Sequence, residues 1–146
     1  VSKSLNTLIR LSKWNVDEKR RVLVALQTRE DEIIETIRQA EAQLVHEQRV
    51  AAADSTGVGF LYGAYAGAWL NRREQMLTML ESVRAEIVTA HDDLALAFNE
   101  LKTYEITQRE RDRRAKEEAD KKEQALMDEI GLNLFRRKEK PDEEGG

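Results

Sequence analysis

Two stretches of this chain carry apolar residues at intervals of seven, on either side of one uncharged, glycine-rich segment. In the first stretch, one position reads Ile9, Val16, Leu23, Glu30, Ile37, Leu44 and Ala51. The interleaved position reads Leu5, Ser12, Lys19, Leu26, Ile33, Ala40 and Glu47. Such spacing keeps a stripe on one side of a helix and marks a coiled-coil seam. The second stretch repeats it more cleanly. Trp69, Met76, Val83, Ala90, Ala97 and Tyr104 stand seven apart, with Leu80, Ile87, Leu94 and Leu101 between them. Arg73 is the one gap there, and Glu30 and Lys19 interrupt the first seam.

Neither arm contains a helix breaker. Residues 3–53 and 68–130 hold no glycine and no proline, so helix propensity runs unopposed through both. Breakers cluster at Asp54-Ser55-Thr56-Gly57-Val58-Gly59, a composition suited to chain reversal. The pattern predicts an all-α fold, a long antiparallel two-helix coiled coil, or αα-hairpin. Arm one is expected over about residues 3–53, the turn over 54–59 and arm two over 60–130. The hairpin domain as a whole is expected over 1–136, with a disordered tail over 137–146. With the fold point near residue 57, residue i faces roughly residue 114 − i. Leu26 then meets Ile87, Ile9 meets Tyr104, and Leu5 meets Gln108, where the second seam also ends. A parallel homodimer could use the same seams, but two unrelated helices have no reason to end them together.

The segment "GVGFLYGAYAGAWLNRR" holds four of the seven glycines and four of the eight aromatics. Its uncharged run, Ser55 to Asn71, is short and rich in Gly, Ser, Thr and Asn, which argues against a membrane span. No strand precedes its glycines and no Gly-Lys-Ser/Thr follows, so no phosphate loop is indicated. Tyr62, Tyr65 and Trp69 share one helical face. Tyr62 and Trp69 lie in register with the seam, whereas Tyr65 lies about 80° off it and is expected to be partly exposed. Gly59, Gly63 and Gly67 fall on the other flank, where they would allow a close backbone approach. Two readings stay open on residues alone: a small core cap, or a docking surface for another protein.

Charge then reshapes the far end. From Thr107 to Gln124 thirteen of eighteen residues are charged and none is large and apolar. Glu110–Arg114, Asp112–Lys116, Glu117–Lys121 and Glu118–Lys122 are acid-to-base pairs at i,i+4, which support a solvated helix overhanging its partner. Hydrophobicity returns with Leu126, Met127, Ile130, Leu132, Leu134 and Phe135, ahead of "RRKEK". An apolar run after a polar spacer, with nothing opposite it, points to a binding end. Gly131 is a candidate stop or kink.

Composition narrows the function. The chain has 146 residues, net charge −4 and no strongly basic segment, so sequence-independent nucleic-acid binding is not expected. No cysteine occurs, which removes disulfides, thiol nucleophiles and thiolate metal sites and fits a reducing compartment. No apolar h-region opens the chain, so no secretory signal is expected. His46 and His91 would stand roughly 35 Å apart in the hairpin and could not share a metal. No nucleophile–His–acid arrangement is visible. A non-enzyme without cofactor, metal or small-molecule substrate is expected.

Three stretches resemble the FliJ family, small coiled-coil components of the flagellar type III export apparatus, and its alphaproteobacterial members in particular. "SLNTLIRLSKWNVDEKRR" resembles the family's start, and "FLYGAYAGAWLNRREQM" its aromatic segment. "AFNELKTYEITQRERDRRAKEEADKKEQALMDEIGL" resembles its charged C-terminal helix with the Asp-Glu-Ile ending. The resemblance runs to about residue 132. It implies a cytoplasmic stalk at the membrane base of the flagellum, similar to the rotor stalk of rotary ATPases. Implied partners are the flagellar export ATPase, the cytoplasmic domain of the export gate, and export chaperones. Tyr62, Tyr65, Trp69 and Met76 match the family's gate-contacting spacing, with Arg72 where a small residue is expected. The tail, Leu126 to Phe135, would engage the ATPase. The rival readings are a coiled-coil scaffold or chaperone escort without a ring partner, and a homodimeric rod.

Overall fold

The computed structural model describes residues 2–53 and 59–144, all of them helical, with side chains described over 4–53 and 61–139. Helix α1 spans Ser2–Ala53 and helix α2 spans Gly59–Glu144. The expected turn lies largely outside the described residues. α2 runs further than the pattern predicted. It passes through Gly131 and Pro141, and the segment expected to be disordered from 137 is helical to Glu144. One helical glycine costs about 1 kcal/mol, too little to stop a helix flanked by Glu, Leu and Arg.

Contacts divide the chain into two units. The first is Arg10–Leu101, a hairpin in which α1 packs on α2. Its core is Val16, Leu23 and Ile33 from α1 with Met76, Leu80, Val83, Ala90, Ala97 and Leu101 from α2, all buried. Ile33, Leu80 and Val83 form one cluster, against which Ile37 and Ile87 pack. Each well-buried aliphatic side chain here contributes on the order of 1.5–3 kcal/mol. Ser12 is buried in the same stripe, where its small size suits close helix packing.

The interrupted seam positions have structural answers. Glu30 accepts from Arg84 Nε at 3.3 Å, across the helix pair. Arg73, the gap in the second seam, reaches Glu41 at 3.6 Å. The numbers of both pairs sum to 114, the register expected from the sequence. Exposed ion pairs of this kind contribute about 0–1 kcal/mol, so they select the register more than they stabilise it.

The second unit joins the residues up to Ile9 with those from Lys102 onward. Leu5 is buried in it and Ile9 half-buried. On α2, Tyr104, Glu105, Thr107, Gln108 and Glu110 are half-buried, and every side chain from Arg111 to Glu139 is exposed.

The close approach expected at the glycines does not occur at Gly63 or Gly67. A Cβ added at either would meet nothing within 4 Å. Both lie off the seam, so neither faces α1. They weaken the helix without any packing return. Gly63→Ala and Gly67→Ala are each expected to stabilise the hairpin by about 0.5–1 kcal/mol. A rise in the thermal midpoint followed by far-ultraviolet circular dichroism checks this, and a fall would show a contact not present here.

Candidate partner-binding surfaces

Near the end of the hairpin the core thins. Beyond Ile37 on α1 and Met76 on α2 the seam holds Ala40, Leu44, Glu47 and Ala51 against Tyr62, Ala66, Trp69 and Arg73, all half-buried. Alanines are too small and Glu47 and Arg73 too polar to fill that space as leucines would. Trp69 compensates. Its indole N–H donates to the Ala40 carbonyl oxygen at 3.0 Å, so the buried ring has its polar atom satisfied across the seam. The Arg73 guanidinium stands 5.7 Å from the Trp69 ring centroid, within cation–π range. Its Nε has no hydrogen-bond partner, so its attraction to Glu41 is ionic.

Tyr62 and Tyr65 line a groove of about 290 Å³ with Glu47, Val50, Ala51 and Leu61. Glu47 does not close it, because its carboxylate accepts from Gln43 Nε2 at 2.9 Å on its own helix. Tyr65 is 37% exposed, as its position off the seam predicts. Val50 and Leu61, 47% and 67% exposed, extend the surface. Neither stood out in the sequence, although the register places Val50 opposite Ala64, the neighbour of Tyr65, and could have found it. Met76 is a correction. Only 8% exposed, it is a core residue and is not on this surface. It follows Trp69 by one heptad at the same seam position, so helix geometry puts it between the arms.

The second surface is the distal part of α2. Leu126, Met127, Ile130, Leu132, Leu134 and Phe135 are between 46% and 59% exposed. On a helical wheel all but Leu132 fall within an arc of roughly 180°. Proximal to them lies an ion-pair ladder. Arg113 pairs with Glu110 at 2.6 Å and with Glu117, and Arg114 pairs with Glu110 at 3.3 Å. Of the four pairs read from spacing, Glu110–Arg114 forms, while Asp112 accepts from Gln108 instead. The hydrogen bond from Arg113 holds the Glu110 carboxyl below its ordinary range, with Arg114 adding to it, and Arg113 is held more firmly protonated in return. A lowered carboxylate pKa supports the helix above the ordinary Glu range. That support is lost as acid carries the pH down through the lowered value.

Among the described residues no group of His, Cys, Asp and Glu could hold a metal ion, and no helix is long and apolar enough to cross a membrane.

The sequence pattern of the family described as "Flagellar FliJ protein" matches residues 2–140. The chain belongs to the FliJ family. FliJ membership implies a component related to flagellar protein export, and the match includes both the tip aromatics and the distal apolar run. No curated protein and no solved structure matches the chain.

The Trp69 contact can be measured apart from the surface around it. Trp69→Phe keeps a smaller aromatic ring and removes both the donor to Ala40 and part of the ring packing, and is expected to cost at least the hydrogen bond's share of about 0.5–1.5 kcal/mol. Urea melts compared with wild type check it, and an unchanged midpoint would show that the hydrogen bond adds nothing to stability.

Proposed function

We propose that this FliJ-family chain is a cytoplasmic stalk and coupling component of flagellar export, peripheral to the membrane through protein contacts. In this reading the tip surface docks on the cytoplasmic domain of the export gate and the distal α2 surface engages the export ATPase. Export chaperones are further partners. The observation that supports it most is the apolar run Leu126 to Phe135, carried on a helix whose side chains are exposed from Arg111 to Glu139. A solvated helix of that length spends apolar residues on solvent unless a partner covers them. The tip supports the second contact. Tyr65 offers a large amphipathic ring beside exposed Leu61 and Val50, and Tyr and Trp recur as interface hot spots.

Truncation after Lys122 removes the apolar run and no seam residue. The hairpin's melting is expected to be nearly unchanged, while stimulation of the purified ATPase falls sharply. Equal stimulation by the truncated and full chains would place the ATPase contact elsewhere. A coiled-coil scaffold without a ring partner would leave ATPase activity unchanged with either chain.

Tyr65→Ala tests the tip. It is expected to leave stability almost unchanged, because the ring is off the seam, and to weaken gate binding by about 1–2 kcal/mol or more. Titration calorimetry with the gate's cytoplasmic domain measures it. Unchanged affinity would return the aromatics to a structural cap.

A further inference from the structure

The two flanks of the hairpin unit are not alike. Glu41 follows the seam residue Ala40 and Arg84 follows the seam residue Val83, so the ion pairs Arg73–Glu41 and Arg84–Glu30 close one flank. The other flank carries the residues that precede seam positions: Val22 before Leu23 on α1, with Glu86 before Ile87 and Asp93 before Leu94 on α2. Here the helices leave a groove of about 500 Å³. Val22, Leu26, Ala85 and Ala90 give it an apolar lining, and Glu86 and Asp93 stand along its α2 side.

We infer that this open flank is a docking groove for a third, basic amphipathic helix from a partner protein. Charge selects the occupant. Between Glu81 and Asp93 α2 carries four carboxylates and a single basic residue, Arg84, which is already bound to Glu30 on the opposite flank. Neither Glu86 nor Asp93 is in an ion pair. Val22 and Asp93 line the groove together, so an apolar residue of α1 stands in it beside that acid. Lys19 and Arg29 of α1 form no ion pair with either acid. Arg20 and Arg21 are taken by Asp17 and Glu18. Glu86 and Asp93 are seven residues apart, so a helix lying along the groove with Lys or Arg at the same spacing meets both. Its seam face must be small or aliphatic, because Val22 is 51% exposed and the floor beside it is alanine. Both apolar cover and paired charge are then supplied by one helix. The groove is separate from the tip groove and from the distal run, so it does not depend on the contacts proposed for either.

The probe is a synthetic helical peptide of four heptads with Ala and Leu at its seam positions and Lys at the flanking ones. A control carries Glu in place of each Lys. Fluorescence anisotropy with the full chain reads binding. The Lys peptide is expected to bind and the Glu peptide not. The double substitution Glu86→Lys with Asp93→Lys is expected to weaken the Lys peptide by about ten-fold or more and to admit the Glu peptide. Val22→Asp, at an exposed position, is expected to abolish binding of the Lys peptide while circular dichroism stays unchanged. Rescue by the Glu peptide shows that the double variant still folds. Equal binding of the Lys peptide to wild type and the double variant overturns the inference, as does no binding at all. A chain that sediments as a dimer, and becomes monomeric with Val22→Asp, overturns it in favour of a second copy as the occupant.

Discussion

Two helices lying side by side share only one stripe of side chains, and everything else in this protein follows from that limit. All the seam positions read from α1, Leu5 through Ala51, are buried or half-buried. Outside them only Asn15 and Glu18 are shielded at all among the described residues of that helix. The core is one layer deep, so no large side chain is fully enclosed. Buried charge has nowhere to go. The carboxylates with shifted pKa values, Glu35 and Glu110, owe the shift chiefly to hydrogen bonds from arginines on their own helix.

A seam that repeats every seven residues leaves its register underdetermined, since a slip of one heptad pairs apolar with apolar again. Polar exceptions resolve this. Glu30 and Arg84 can meet at one register only, and Arg73 and Glu41 can meet at the same one. Trp69 adds a contact to a particular backbone carbonyl, that of Ala40. The residues that weaken the hydrophobic pattern are thus the ones that make the pairing unique, at some cost in burial. They also make the hairpin two-sided: one flank is tied across by ion pairs, while the other holds the grooves beside Val22 and beside Tyr65.

The tip and the distal helix are both unlike the middle of the hairpin, for different reasons. At the tip, alanines and a glutamate stand where leucines would fill the seam, and the aromatic rings span what is left. In the distal part of α2 the described side chains from Arg111 to Glu139 are exposed, and local ion pairs such as Glu110 with Arg113 support the helix. The first arrangement exposes apolar rings on a thinly packed frame. The second exposes an apolar run on a frame held by its own charges.

The sequence by itself determined the helices, the seam and the register. The helices and the seam follow from periodicity along one chain, and the register follows from the fold point near residue 57, which pairs Glu30 with Arg84. It also determined that Tyr65 stands off the seam, since a helical wheel needs no partner to be drawn. It placed Met76 on the seam, where the structure buries it, while the gate contact for Met76 came only from the family resemblance. It also treated Gly131 and the last ten residues as breaks in a helix that runs to Glu144, because local breaker signals carry no weight for the helix formers around them. Only the tertiary structure decided that Gly63 and Gly67 approach nothing, that Arg73 lies over Trp69, and which flank the ion pairs close. Those outcomes depend on the direction in which long side chains lean once a second helix is beside them, and periodicity holds no information about that direction.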